Sequence, residues 1–140
     1  MKKILTLVFI VLGLANVNAQ SMKGFSIGEE INKESFVCRN VKVGNVQGTL
    51  SVSVKSNKIN KLEFSASVYT MSEVNEVADL FASKYQINLN FGDPEILMGN
   101  EKYSASRVKN GIRYVLNIIY FPRLKGYRVD ASLSIVENQF

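Results

Sequence analysis

One helical stripe stands between two blocks of strict alternation, and few folds accommodate that arrangement. Val74, Val77, Ala78, Phe81 and Tyr85 recur at i, i+3, i+4, i+7 and i+11, the spacing that gathers apolar side chains on one side of an α-helix. Thr70-Met71-Ser72-Glu73 precedes them and reads as a capping box: the threonine hydroxyl accepts from the Glu73 backbone N–H, and the glutamate reaches back. Glu73, Glu76 and Asp79 come early and Lys84 late, as the helix dipole favours. The spacing predicts a helix over about 71–86. Truncating Phe81, the expected central knob, would cost about 3–5 kcal/mol, a large share of the roughly 5–15 kcal/mol that holds a small domain together.

The flanking blocks have period two. Leu50, Val52 and Val54 alternate with Thr49, Ser51 and Ser53; Leu62, Phe64, Ala66 and Val68 alternate with Lys61, Glu63, Ser65 and Ser67. Lys55-Ser56-Asn57-Lys58 is a polar turn between them, so the two runs predict an antiparallel hairpin with one apolar face. Upstream, residues 37–43 suggest a first strand whose alternation Arg39 spoils, followed by a Gly44-Asn45 turn. Downstream, Ile87, Leu89 and Phe91 alternate briefly before Gly92-Asp93-Pro94 stops them. Residues 102–109 and 112–121 flank Asn110-Gly111, a strong hairpin signal. A last strand follows the 122–126 turn, with Tyr127, Val129, Ala131, Leu133 and Ile135 on one face. Hairpin-linked strands and one amphipathic helix predict an α+β, two-layer sandwich of order β(β)β-α-βββ. Its helix lies on a mainly antiparallel sheet of five or six strands.

The first nineteen residues have a different composition. Lys2 and Lys3 precede an apolar run from Ile4 to Ala15, and Val17 and Ala19 stand at −3 and −1 of a cleavage point before Gln20. This is the pattern of a secretory signal peptide, and its apolar core falls short of the roughly twenty residues that span a bilayer. No cysteine stands at the cleavage point for lipid attachment. Residues 1–19 are therefore expected to direct export to the periplasm or the medium, leaving 20–140 as one domain. Loss of Lys2 and Lys3 lowers the side-chain balance from +5 to +3, too little to point to nucleic acid. No later run reaches transmembrane length.

Composition removes most catalytic chemistries. The chain has no His and one Cys, which excludes histidine triads, histidine metal ligands, an internal disulfide and CxxC sites. Gly24-Phe25-Ser26-Ile27-Gly28 spells a nucleophile elbow, but no histidine exists to activate Ser26. Asp93, Glu95, Asn100 and Glu101 bring oxygen ligands together without EF-hand spacing. No catalytic residue, cofactor or metal is assigned. A hydrolase using a carboxylate pair or Ser/Lys chemistry remains the alternative from the enzyme class. Cys38 reads as a small hydrophobe beside Val37, or else as an intermolecular disulfide partner.

The candidate interaction surface lies in the last third. Residues 112–121 carry large apolar groups on both faces: Ile112, Tyr114, Leu116, Ile118 and Tyr120 on one, Val115, Ile119 and Phe121 with Arg113 on the other. Either the N-terminal segment or residues 87–98 cover the second face, or it is an exposed patch for a dimer or partner. Positive charge concentrates nearby at Lys102, Arg107, Lys109, Arg113, Arg123, Lys125 and Arg128, beside turns where lysine and arginine also guard strand edges. The surface nominated is Arg113, Val115, Ile119, Phe121, Arg123, Lys125 and Arg128.

The signal ending Ala19-Gln20, and a hairpin running into a helix that ends Lys84-Tyr85, resemble the small exported domains of Gram-negative envelopes. Over residues 46–136 the layout is similar to the PepSY-like and β-lactamase-inhibitor-protein-like groups, and it carries no site residue across. The expected role is non-enzymatic binding of a protein or envelope ligand through the sheet face. A structural, self-associating protein, for instance a homodimer, is the third reading.

Overall fold

The computed structural model describes residues 21–136. The expected signal peptide and its cleavage point lie outside the described residues. Among the described residues nine strands and one helix follow in order: β1 (Ser21–Met22), β2 (Phe25–Ser26), β3 (Phe36–Val43), β4 (Val46–Lys55), β5 (Lys58–Val68), α1 (Met71–Tyr85), β6 (Glu95–Leu97), β7 (Asn100–Lys109), β8 (Ile112–Phe121) and β9 (Gly126–Ile135). β1 and β2 form a small hairpin; the other seven strands make one sheet in the order β3-β4-β5-β9-β8-β7-β6. Every pairing is antiparallel. Two meanders, β3–β5 and β6–β9, are sewn together where β9 returns beside β5.

One helix on an antiparallel sheet is as expected, but the sheet has seven strands rather than five or six. The additional strand is β6, three exposed residues paired to the start of β7 through a turn in which Met98 and Gly99 both have positive φ. A methionine there gives no turn signal, because that conformation is the preserve of Gly, Asn and Asp. The stretch around Ile87 forms no strand; Ile87 and Leu89 turn onto the core instead. The alternation that Arg39 spoils marks a β-bulge between Cys38 and Val41, with Asn40 at φ 60°. The extra residue bends an edge strand, which discourages edge-to-edge pairing. Cys38 is a free thiol, half-buried against the core.

Period two explains the core. On the helix side, register aligns Val52, Leu62, Leu133 and Tyr114 in one row and Leu50, Phe64, Ala131 and Leu116 in the next, all buried. Val74, Val77, Phe81 and Tyr85 of α1 are buried above them. Each fully buried Leu, Val or Phe contributes about 1.5–3 kcal/mol from removal of its surface from water.

Both helix ends are capped. Thr70 Oγ1 accepts from the Glu73 backbone N–H at 3.2 Å and donates to Glu73 Oε1 at 2.9 Å, while the Tyr69 N–H reaches the same carboxylate at 3.4 Å. The far end is a Schellman turn: the Ile87 N–H donates to the Ala82 carbonyl, the Gln86 N–H donates to that of Ser83, and Gln86 is left-handed at φ 53°. Gln86 occupies the place usually taken by glycine. Lys109 Nζ donates to the Tyr85 and Gln86 carbonyls, so a cation from β7 closes the negative end of the helix dipole. Glu76 Oε1 accepts from the Asn45 N–H at 3.0 Å and ties the helix to the β3–β4 turn.

Tyr85 makes stability pH-dependent. Its ring packs 5.1 Å from Tyr114 and 5.2 Å from Phe81, and its hydroxyl donates to the Ser21 carbonyl. Burial, then the neighbouring Tyr114, push the Tyr85 phenol well above its ordinary range; burial raises Tyr114 as well. A phenol that holds its proton more tightly when folded contributes stability fully present below the unfolded value of about 10 and lost as pH rises beyond it. The urea midpoint should therefore be flat from neutral pH to about pH 9 and fall above about pH 10. Tyr85→Phe should flatten most of that fall, leaving the part due to Tyr114 and Tyr103, whose phenols are also raised. It should also lower the plateau by about 0.5–1.5 kcal/mol for the lost hydrogen bond. An alkaline slope undiminished in the variant would show that another group is responsible.

Candidate functional site

Every described segment that covers the sheet lies on the same side. Met22 shares a pocket with Val77, Phe81 and Tyr85, and the Phe25 and Phe36 rings meet edge to face at 5.5 Å, so the N-terminal hairpin packs beside α1. Ile87 and Leu89 join the core, and Phe91 sits with Met71, Tyr103 and Ile118. The segments expected as cover for the second face of β8 are thus on the helix side. The reason is width. A helix is about 10 Å across and strands repeat every ~4.8 Å, so α1 covers only part of a seven-stranded sheet. The remaining apolar strand positions attract whatever hydrophobic loops are at hand.

The opposite face carries no second layer among the described residues. Register places Thr49, Ser65, Asp130, Asn117 and Ser104 in one row across five strands, and Ser51, Glu63, Ser132, Val115 and Ser106 in the next. The polar groups are tied to one another. Asp130 accepts from Arg128 Nε at 3.1 Å and from the Ser65 hydroxyl; Ser104 donates to Asn117 Oδ1 at 2.7 Å; Lys61 pairs with Glu63 at 3.7 Å. Each carboxylate of these rows has a cationic partner, so these rows are polar and lack a free carboxylate pair.

The seven nominated residues distribute unevenly. Arg113, Val115, Ile119 and Phe121 do share the open face of β8, and Arg128 stands directly opposite Ile119 on β9. Arg123 and Lys125 occupy the exposed β8–β9 turn on either side of Leu124, which is 73% exposed. Arg113 lies toward the other end of β8, opposite Ser134, about 26 Å along the strand from Phe121 at ~3.3 Å per residue. One end of the face thus gathers Ile119, Phe121, Arg123, Lys125 and Arg128. Lys102, opposite Ile119 on β7, belongs to the same group; as a nearby cation in the sequence it was not separable from Arg107 or Lys109. Val115, Ile119 and Phe121 are half-buried.

A second concave feature lies on the helix side. Met71, Asn75 and Ala78 of α1, spaced four and three residues apart, face Tyr103 and Glu101 of β7, Ile118 and Tyr120 of β8, Tyr127 of β9 and Phe91 across a groove of about 570 Å³. Tyr120 and Tyr127 are directly paired, with ring centroids 4.9 Å apart. Tyr103 donates to Glu101 Oε2 at 3.1 Å, and that hydrogen bond holds its phenol above the ordinary value. Sequence reasoning passed over this groove. Its signal is tyrosine at 103, 120 and 127, which becomes informative only once register puts all three on one face. Of the oxygen ligands considered for a metal, Glu95, Asn100 and Glu101 sit on the β6–β7 hairpin, and no cluster of three or more ligating side chains occurs among the described residues. Ser26 ends β2 in a hairpin, its N–H bonded to Glu29, which is not the strand-to-helix elbow a nucleophile requires.

Neither a family model, nor a curated protein, nor a solved structure matches this chain. Roles are therefore assigned from geometry alone. No helix among the described residues is long and apolar enough to cross a membrane.

Proposed function

We propose that this chain is an exported, non-enzymatic binding domain that engages a protein or cell-envelope ligand through the open face of its sheet. The observation that carries the reading is the one-sided placement of α1, the N-terminal hairpin and residues 86–94, which leaves β4, β5, β9, β8 and β7 without a second layer on the other side among the described residues. An area of this kind suits a partner better than a reaction, because its polar groups are already paired and no cleft excludes water from them. The partner end joins Ile119 and Phe121 to Lys102, Arg123, Lys125 and Arg128, an apolar centre in a rim that stays net basic although Glu95 stands opposite Lys102 and Asp130 pairs with Arg128. Such a rim favours an acidic partner and speeds its approach.

Site-specific photo-crosslinking in the expressing cell tests this whatever the chemical identity of the partner. Photoreactive side chains at Ser104 and Ser106, both exposed on the open face, should crosslink. Controls at Asp79 and Ser83 on the exposed side of α1 should not. Ile119→Ser with Phe121→Ser should abolish the crosslinks while lowering stability by no more than about 1–2 kcal/mol, as befits half-buried positions. Crosslinking from the helix alone would overturn the assignment, and so would a double variant that unfolds.

A further inference from the structure

The helix-side groove combines two features that together select one kind of ligand. Four aromatic rings, from Phe91, Tyr103, Tyr120 and Tyr127, line it with the Glu101 carboxylate. Tyr103 occupies one oxygen of that carboxylate, Oε2. Among the described residues no lysine or arginine lies within ion-pair distance of Glu101. The nearest cation on the same face of β7 is Arg107, six residues along the strand opposite Tyr114, about 20 Å away. Lys102 projects from the opposite face, and Arg123 and Lys125 belong to the turn beyond β8. Glu95 stands opposite Lys102 on that other face, and the residue of β6 opposite Glu101 is the uncharged Ile96.

From these positions we infer that the groove binds a small organic ammonium cation, a quaternary or methylated amine whose charged head sits among the tyrosine rings beside Glu101. Aromatic faces are negative at their centres and attract alkylammonium groups, and the attraction grows as water is excluded. Methyl groups on the nitrogen would meet Met71, Ala78 and Ile118, the apolar part of the lining, while the net charge is answered by the carboxylate. The volume of about 570 Å³ lies within the range of pockets that hold small ligands. A neutral compound of the same shape would gain the apolar contact but leave the Glu101 charge partly desolvated without a counter-ion.

Choline and its uncharged isostere 3,3-dimethyl-1-butanol separate the two cases. Titrated into the purified protein and followed by amide NMR, choline should give saturable shifts concentrated at Glu101, Tyr103, Tyr120 and Tyr127, with at least about tenfold higher affinity than the isostere. Glu101→Gln keeps an acceptor for the Tyr103 hydroxyl. It should weaken choline about tenfold and leave the isostere unchanged, with an unaltered melting temperature. Tyr120→Leu should weaken choline similarly. Equal affinity for the two compounds would reduce the groove to an apolar dent and overturn the inference. So would shifts located elsewhere, or no saturation with choline in the tens of millimolar by a protein whose spectrum shows it folded.

Discussion

Phe64→Ala is expected to destabilise the protein by about 3–5 kcal/mol, a loss large enough to leave much of it unfolded at body temperature. Phe64 is fully buried in the middle of β5, with Leu50 opposite on one neighbour and Ala131 on the other, and its ring lies against Gly48. Small neighbours on two sides make the site one that a phenylalanine fills and an alanine cannot. The backbone of three paired strands keeps it from collapsing around the void, which is the condition under which cavity costs are highest. Urea denaturation should show the midpoint displaced with its slope retained. Phe64→Leu, which keeps most of the volume, should cost less than about 1.5 kcal/mol. A variant Phe64→Ala within 1 kcal/mol of the parent would mean that the central layer is looser than its burial implies.

The complementary change, adding one methyl group, should also destabilise, though by less. At Gly48→Ala the new Cβ would stand 2.3 Å from the Ser65 carbonyl oxygen and 2.8 Å from Phe64 Cζ. The oxygen belongs to the backbone of the adjacent strand, so relief requires β4 and β5 to part, at about 1–3 kcal/mol for such overpacking and more for a larger residue. The thermal midpoint should fall by several degrees, roughly 4–8 °C per kcal/mol in a domain of this size. Pairing with Phe64→Leu should restore none of it if the carbonyl is the obstacle, and a good part if the ring is. An unchanged midpoint in Gly48→Ala would contradict the close approach. Glycine at 48 is therefore required by proximity, since its φ is not among the positive ones.

Much of the fold was legible because it is written in local periods. The stripe from Val74 to Tyr85 and the Thr70–Glu73 cap specify α1 almost to the residue. The alternations at 46–54, 59–68 and 127–135, and the Asn110-Gly111 turn, specify β4, β5, β9 and the β7–β8 hairpin. Features that escaped notice lack a local period. β6 is three residues long and its turn uses Met98 at positive φ; the strand expected over 37–43 is present as β3, and the interruption at Arg39 is its bulge.

The candidate surfaces divide in the same way. Alternation along β8 was enough to put Arg113, Val115, Ile119 and Phe121 on one face, because side chains two apart in a strand point the same way. It could not say that Arg128 and Lys102 flank Ile119, since that depends on the register of three strands distant in sequence. The aromatic groove was invisible for a stronger reason: Tyr103, Tyr120, Tyr127 and Phe91 come from four separate segments.

Residue order by itself determined the identities of the helix and the long strands, because each follows from side-chain spacing over ten or so neighbours. Tertiary structure alone decided which strands lie side by side, which face stays bare and where the concavities open. A single helix is narrower than the seven-stranded sheet it covers, and the loops that complete the cover are chosen by competition for exposed apolar area, an outcome of the whole chain and of no single stretch within it.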